Sequence, residues 1–156
     1  MKAMILTEPY PIEKEPLVMT DINDPIPGPE DVRVKISTCG ICHTDLHVIE
    51  GELPSKKLPI IPGHEIVGVV DAIGEKVTRF REGDKVGVAW LNSTCGECDF
   101  CVRGNENLCE ESRFTGYDVD GGYAQFTVVS EDFAYPIPPG FSDLEAAPLL
   151  CAGIVG

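Results

Sequence analysis

The sequence predicts a mainly β domain, a small barrel or sandwich with short helices and a metal-binding loop lobe. Three observations predict it. Five short stretches rich in β-branched or aromatic residues are bounded by Gly, Pro, Asp and Asn. Helix signals are few and short. Seven cysteines, an odd number, fall in two clusters and a single near the end, a layout that suits metal ligation better than a disulfide framework. At 156 residues the chain fits one domain, able to bury roughly 70% of the surface its unfolded form exposes.

The elements follow in order. "MKAMILT" reads as the first strand, and "DPIPGPE", with Pro25, Pro27 and Pro29, as an extended connector. In "DVRVKIS", Val32, Val34 and Ile36 share one face while Arg33, Lys35 and Ser37 share the other, the period of a half-buried strand. "TDLHVIEG" has the length of about two helical turns closed by Gly51. "EIVGVVDAIG", "DKVGVAWL" and "YAQFTVV" are three further strands, and "SDLEAAPLL" opens a second helix with a capping box from Ser142 to Glu145. No internal repeat or low-complexity segment interrupts them.

Charge and hydropathy exclude several classes of function. The formal net charge is -14, and the 12 Lys and Arg are scattered, so a phosphate backbone is repelled at most faces and nucleic acid is not an expected partner. The opening "MKAMILTEPY" lacks a long apolar region and a small-residue cleavage site, and no later apolar run reaches the roughly 18 residues of a membrane helix. The expectation is a soluble, cytoplasmic protein with no membrane partner.

"CGECDFCVRGNENLC" places Cys95, Cys98, Cys101 and Cys109 in a C-x2-C-x2-C-x7-C array. Four thiolates in one short loop suit a closed, tetrahedral structural zinc. An iron–sulfur cluster is the competing occupant, although its usual C-x2-C-x2-C-x3-C-P run has a shorter last interval and a proline where Glu110 stands here.

A second constellation is dispersed. "PGHE" supplies His64 and Glu65, "PLLCAG" supplies Cys151, and "TCGICHTDLH" supplies a cysteine from Cys39 or Cys42. Cys, His and Cys leave the fourth position of a tetrahedral zinc open, which is the arrangement of a catalytic site.

"CGICHTDLH", "PGHEIVG", "GDKVGVAW", the four-cysteine array, "GYDVDGGYAQF" and "EAAPLLCAG", in this order, resemble the zinc-containing alcohol dehydrogenases of the medium-chain dehydrogenase/reductase superfamily. The resemblance covers essentially the whole chain. It implies a GroES-like, partly open β-barrel with a zinc-binding loop lobe. In the family pattern the zinc-binding cysteine directly precedes a basic residue, a Ser or Thr and an Asp, which implies Cys42 as the ligand with His64 and Cys151. Cys39, near the end of the alternating strand, is then a small buried residue. Cys42 enters the short helix, where terminal amides favour a thiolate.

The same resemblance implies roles for the neighbours. Asp45 accepts a hydrogen bond from the His64 imidazole and fixes its tautomer. Glu65 is a carboxylate beside the metal. Thr44, whose hydroxyl donates and accepts, is the first proton-relay group, and His47, one turn on, passes the proton to water with the cofactor ribose between them. His43 stands where related enzymes place a residue near the cofactor pyrophosphate, or faces solvent. The bond before Pro59 is implied to be cis. Trp90 lines the substrate cleft or sits in the core.

The implied chemistry is oxidation of a small-molecule alcohol to an aldehyde or ketone, with two zincs per chain and NAD or NADP as hydride acceptor in the intact enzyme. No G-x-G-x-x-G turn occurs, and "AGIVG" alone follows Cys151. Residues 1–156 are thus expected to be the GroES-like catalytic domain without the nucleotide-binding Rossmann domain, inactive in isolation. The rival expectation is a non-catalytic zinc-binding module or a truncated inactive fragment. The apolar "PLLCAGIVG" tail would pack against another chain in a homo-oligomer or flex.

Overall fold

The structure, a computed structural model, describes residues 1–155. In chain order its elements are β1 (Lys2–Leu6), β2 (Leu17–Asp21), β3 (Asp31–Gly40), α1 (His43–Glu50), β4 (Glu65–Ile73), β5 (Lys85–Val88) and β6 (Leu91–Ser93). There follow α2 (Asp99–Val102), β7 (Arg113–Phe114), β8 (Phe126–Ser130), β9 (Ala134–Pro136), α3 (Asp143–Leu149) and α4 (Ala152–Val155). The fold is mainly β, as the patterning predicts.

Five strands form one antiparallel sheet in the order β8-β3-β4-β5-β9. It is a half-barrel. Two register shifts between β3 and β4, at Arg33/Val34 and Ile36/Thr38, bend the central strands. Val32 and Val34 turn inward with Ile66, Val70, Val86, Val88 and Val129 to make the core, while Arg33 on the other face pairs with Asp71 at 2.9 Å. The period of two in "DVRVKIS" is therefore realised side chain by side chain.

Strand β4 is buried on both faces near its start, because Val67 packs under Ala146 and Ala147 of α3. The Ser142 hydroxyl accepts the Glu145 N–H at 3.3 Å and the Glu145 carboxylate accepts the Ser142 N–H at 3.0 Å, the predicted capping box. Asp143 accepts from Ser37 of β3 at 2.5 Å and pairs with Lys85 of β5. Helix α3 is thus pinned to the sheet at its first turn.

The first ribbon, β1 with β2, joins the rest through bridges from Ala3 to Ala124 and from Leu6 to Ile60. "DKVGVAWL" forms two strands rather than one: β5 stops at Val88, and Leu91 starts β6, which pairs with β7 on the cysteine lobe. The Leu58–Pro59 bond is cis, as the resemblance implies. No helix among the described residues is long and apolar enough to cross a membrane.

Candidate functional site

Two clusters of ligand-type atoms stand out among the described residues. In the lobe, the sulfurs of Cys95, Cys98, Cys101 and Cys109 lie within 4.8 Å of one another. Individual separations are 3.9 Å for Cys95–Cys101, 3.5 Å for Cys98–Cys101 and 3.6 Å for Cys95–Cys109. A tetrahedron with metal–sulfur bonds of about 2.3 Å has edges of about 3.8 Å, so the cage fits one zinc ion. It is too tight for the four irons of a cubane cluster, whose thiolates must stand outside the cluster's corners. The Thr94 hydroxyl, donating to Cys101, leads the effects that bring that thiol down to about 7.

The second cluster joins three distant segments. Strand β3 ends at Gly40, and the chain turns through Cys42 into α1. Asp45, in the first turn, accepts the Cys42 backbone N–H at 2.9 Å and so closes the helix start. Its other carboxylate oxygen faces His64 Nδ1 at 2.9 Å. One carboxylate therefore caps the helix and orients the imidazole.

His64 arrives from "PIIPGH" through Gly63, whose φ of 97° is in the left-handed region that favours glycine. A side chain there would also meet the Tyr123 ring, with Cδ1 2.6 Å from the added carbon. Cys151 comes from the turn between α3 and α4 and brings its sulfur 3.8 Å from that of Cys42, again the edge of a tetrahedral zinc–thiolate pair. Glu65 opens β4 at 1% exposure, and one of its oxygens accepts the Ala152 N–H at 3.0 Å. The other presses on Gly40, where an added methyl carbon would stand 2.1 Å from it. Cys42, His64, Glu65 and Cys151 all offer atoms within 4.8 Å of one another.

The electrostatics call for a cation. His64 is wholly buried, and its Nε2 has no hydrogen-bond partner among the described residues, a state that costs about 1–3 kcal/mol unless something binds there. Burial alone would raise the Cys42 thiol, but hydrogen bonding with Thr44 leads the effects that outweigh it and hold the thiol below its ordinary value. Cys39 is the contrast. Burial, with Asp45 nearby, pushes it up to about 12, and its sulfur lies under Gly63 and Gly122, outside the cluster.

Around this centre, the Thr44 hydroxyl stands 3.7 Å from the Cys42 sulfur. His47 pairs with Glu52, and its side chain is 37% exposed. The His43 ring meets that of His47 edge-on at 4.6 Å. No hydrogen bond joins Thr44 to His47 among the described residues, so any relay between them requires an added group.

Trp90 realises both of its expected places, whereas the contact of Tyr123 with Asp45 was not anticipated from the sequence. Trp90 lies edge-on to His64 at 4.9 Å while stacking on Phe114 and Tyr117, so it borders the site and the core at once. The Tyr123 hydroxyl donates to Asp45 Oδ2 at 3.1 Å. Its signal in the sequence was weak: a Tyr beside Gly121-Gly122 whose hydroxyl, if buried, needs a partner.

A half-barrel carrying a four-thiol cage and a second cluster of Cys42, His64, Glu65 and Cys151 is the architecture of a domain with a structural and a catalytic zinc, and both donor sets are consistent with that pair. Residues 28–139 match the alcohol dehydrogenase GroES-like domain, and the chain belongs to this family of zinc alcohol dehydrogenases. An alcohol dehydrogenase of Geobacillus stearothermophilus is 48% identical over 142 residues, covering 90% of this chain and 42% of that protein. The cobalt- and zinc-bound thermostable alcohol dehydrogenase of Pyrobaculum aerophilum superposes with a TM-score of 0.86 at 32% identity, over 96% of this chain and 44% of that one. The Helicobacter pylori CAD complexed with NADP(H) gives 0.84 at 32% identity, over 99% and 47%. The chain thus spans somewhat under half the length of these relatives.

Proposed function

We propose that residues 1–156 are the GroES-like catalytic domain of a zinc-dependent alcohol dehydrogenase that oxidises alcohols to aldehydes or ketones with NAD or NADP in the intact, cytoplasmic enzyme. The nucleotide-binding Rossmann domain lies outside this chain, and without it the chain turns over no alcohol. The observation that carries the reading is the unpartnered, buried Nε2 of His64 beside the Cys42 and Cys151 sulfurs.

In this reading Cys42, His64 and Cys151 hold the catalytic zinc, and Cys95, Cys98, Cys101 and Cys109 hold the structural one. Zinc, when bound, supplies a Lewis acid that makes an alcohol hydroxyl more acidic. The chain's own residues do the rest. Asp45 keeps the Nδ1 proton on His64, so that Nε2 presents its lone pair. Glu65 stays buried beside the ligands and ties the α4 amide to the site.

Thr44 stands beside Cys42, able to accept the alcohol proton while donating its own onward. His47, at the solvent edge and paired with Glu52, delivers it to water. His43, exposed beside His47, serves the cofactor phosphates. Ile41 and Leu149, near Cys42 and Cys151 in sequence, are exposed apolar side chains that a covering domain would bury.

The test is alcohol-dependent reduction of NAD or NADP by the intact enzyme that contains this chain. Thr44→Val should lower kcat by two orders of magnitude or more, roughly the contribution of a positioned proton-transfer group, with both zincs retained. Full activity in that variant would sink the relay, and an intact enzyme inert towards primary and secondary alcohols would sink the function.

A further inference from the structure

We propose that Tyr123 is a positioning residue for the open metal site: its hydroxyl holds Asp45, which in turn aims His64. The inference rests on reading Cys42, His64 and Cys151 as metal ligands.

The Asp45 carboxylate is 2% exposed and accepts three hydrogen bonds. Oδ1 takes His64 Nδ1 at 2.9 Å; Oδ2 takes the Cys42 backbone N–H at 2.9 Å and the Tyr123 hydroxyl at 3.1 Å. The donors differ in kind. The Cys42 amide belongs to the same helical start as Asp45 and moves with it. Tyr123 comes from 78 residues away, so, besides the imidazole being aimed, it is the donor that refers the carboxylate to a separate part of the fold. A tyrosine hydroxyl facing a carboxylate can only donate, which leaves no ambiguity in the direction of the bond.

Tyr123 is itself built in. Its backbone N–H donates to the Pro62 carbonyl at 2.9 Å, and its own carbonyl accepts the Met4 N–H at 2.8 Å. The preceding amides of Gly121 and Gly122 donate to Ile61 and Gly63 at 2.7 and 2.9 Å. Its ring lies against Gly63, so closely that only a residue without a side chain fits there. One residue therefore clamps the backbone that delivers His64 and the carboxylate that orients the imidazole. A phenylalanine would keep the first function and lose the second.

The test is metal binding by the intact enzyme carrying Tyr123→Phe, with cobalt(II) and zinc titrated against a competing chelator and the cobalt d–d absorption recorded. The same titration is run in an Asp45→Asn background. Outer contacts of this kind are worth about 10- to 100-fold in metal affinity, and one step further out the expected loss at the open site is about three- to tenfold. The cobalt bands of that site should shift, while the four-thiol site keeps its affinity. In the Asp45→Asn background the tyrosine change should add less than about twofold, because it acts through Asp45.

Unchanged affinity and unchanged bands in Tyr123→Phe overturn the proposal. So does an equal loss with and without Asp45, which marks general packing. A wild-type intact enzyme that loads only its four-thiol site overturns instead the ligand reading beneath it.

Discussion

The carboxylate of Asp45 and the imidazole of His64 meet at 2.9 Å with both side chains essentially without solvent. Neither is near the other in sequence, and each already has a local reason for its place: Asp45 closes the start of α1, and His64 follows the glycine turn at Gly63. Their contact leaves Nε2 as the only free ring nitrogen, pointing where Cys42 and Cys151 converge. Asp45→Asn should weaken metal binding at this site by about 10- to 100-fold and leave the four-thiol site untouched. Chelator competition reads both sites in one titration, and an unaltered open site would refute the orienting role.

Cys42→Ser should remove one of two zincs per chain, whereas Cys39→Ser should keep both. The two cysteines are three residues apart, yet only Cys42 lies in the cluster; Cys39 is half-buried beneath Gly63 and Gly122 with its thiol held protonated. Metal content per chain decides this, and equal losses in both variants would contradict the geometry.

The two zincs should differ in lability. The lobe cysteines lie between positions 95 and 109, so their cage closes within one loop, while Cys42 and Cys151 are 109 residues apart and meet only when the sheet and α3 are in place. Closure entropy grows with loop length, so the dispersed site costs more to close. A mild chelator, or denaturant short of global unfolding, should release one zinc at least tenfold faster than the other. Loss of both at one rate would indicate a single cooperative unit.

Asp143 gives the acid limb of stability a specific contributor. Hydrogen bonds from Lys85 and Ser37 hold its carboxyl below the ordinary value. A depressed folded value means the contribution is complete above the ordinary Asp value of about 3.9 and disappears as pH falls through the lower folded one. For this partly exposed pair the contribution is about 0.5–1 kcal/mol. Asp143→Asn should therefore melt a few degrees below wild type at neutral pH, the two Tm curves converging in acid. A gap that widens on acidification would reverse the sign.

Much of this was legible without coordinates, for reasons that can be assigned to residues. The four lobe cysteines are close in sequence, so their spacing already limits the cage to a small closed ion site. Val32, Val34 and Ile36 alternate with Arg33, Lys35 and Ser37, and a strand with one buried face can have only one register. Gly51 and the Ser142–Glu145 pair mark a helix end and a helix start through local hydrogen bonds alone. Even the choice of Cys42 over Cys39, which alternation could not make, followed from the family pattern of residues after it.

What escaped the sequence depends on partners far along the chain. Strands β2, β6, β7 and β9 carry little signal of their own, since residues such as Arg113 and Phe114 are a strand only because Leu91 and Ser93 lie opposite. The division of "DKVGVAWL" follows from Trp90 leaving the sheet to stack on Phe114 and Tyr117 and to touch His64. Glu65 could have been any solvated carboxylate; burial against Gly40 and the Ala152 amide made it part of the site. Tyr123 looked like one aromatic in a strand until folding set its hydroxyl on Asp45. Local hydrogen bonds and short loops are determined by the sequence because their closure needs little else. The open cluster of Cys42, His64 and Cys151 was decided by tertiary structure, because only burial of the valine core and of α3 on β4 can offset the entropy of joining segments so far apart.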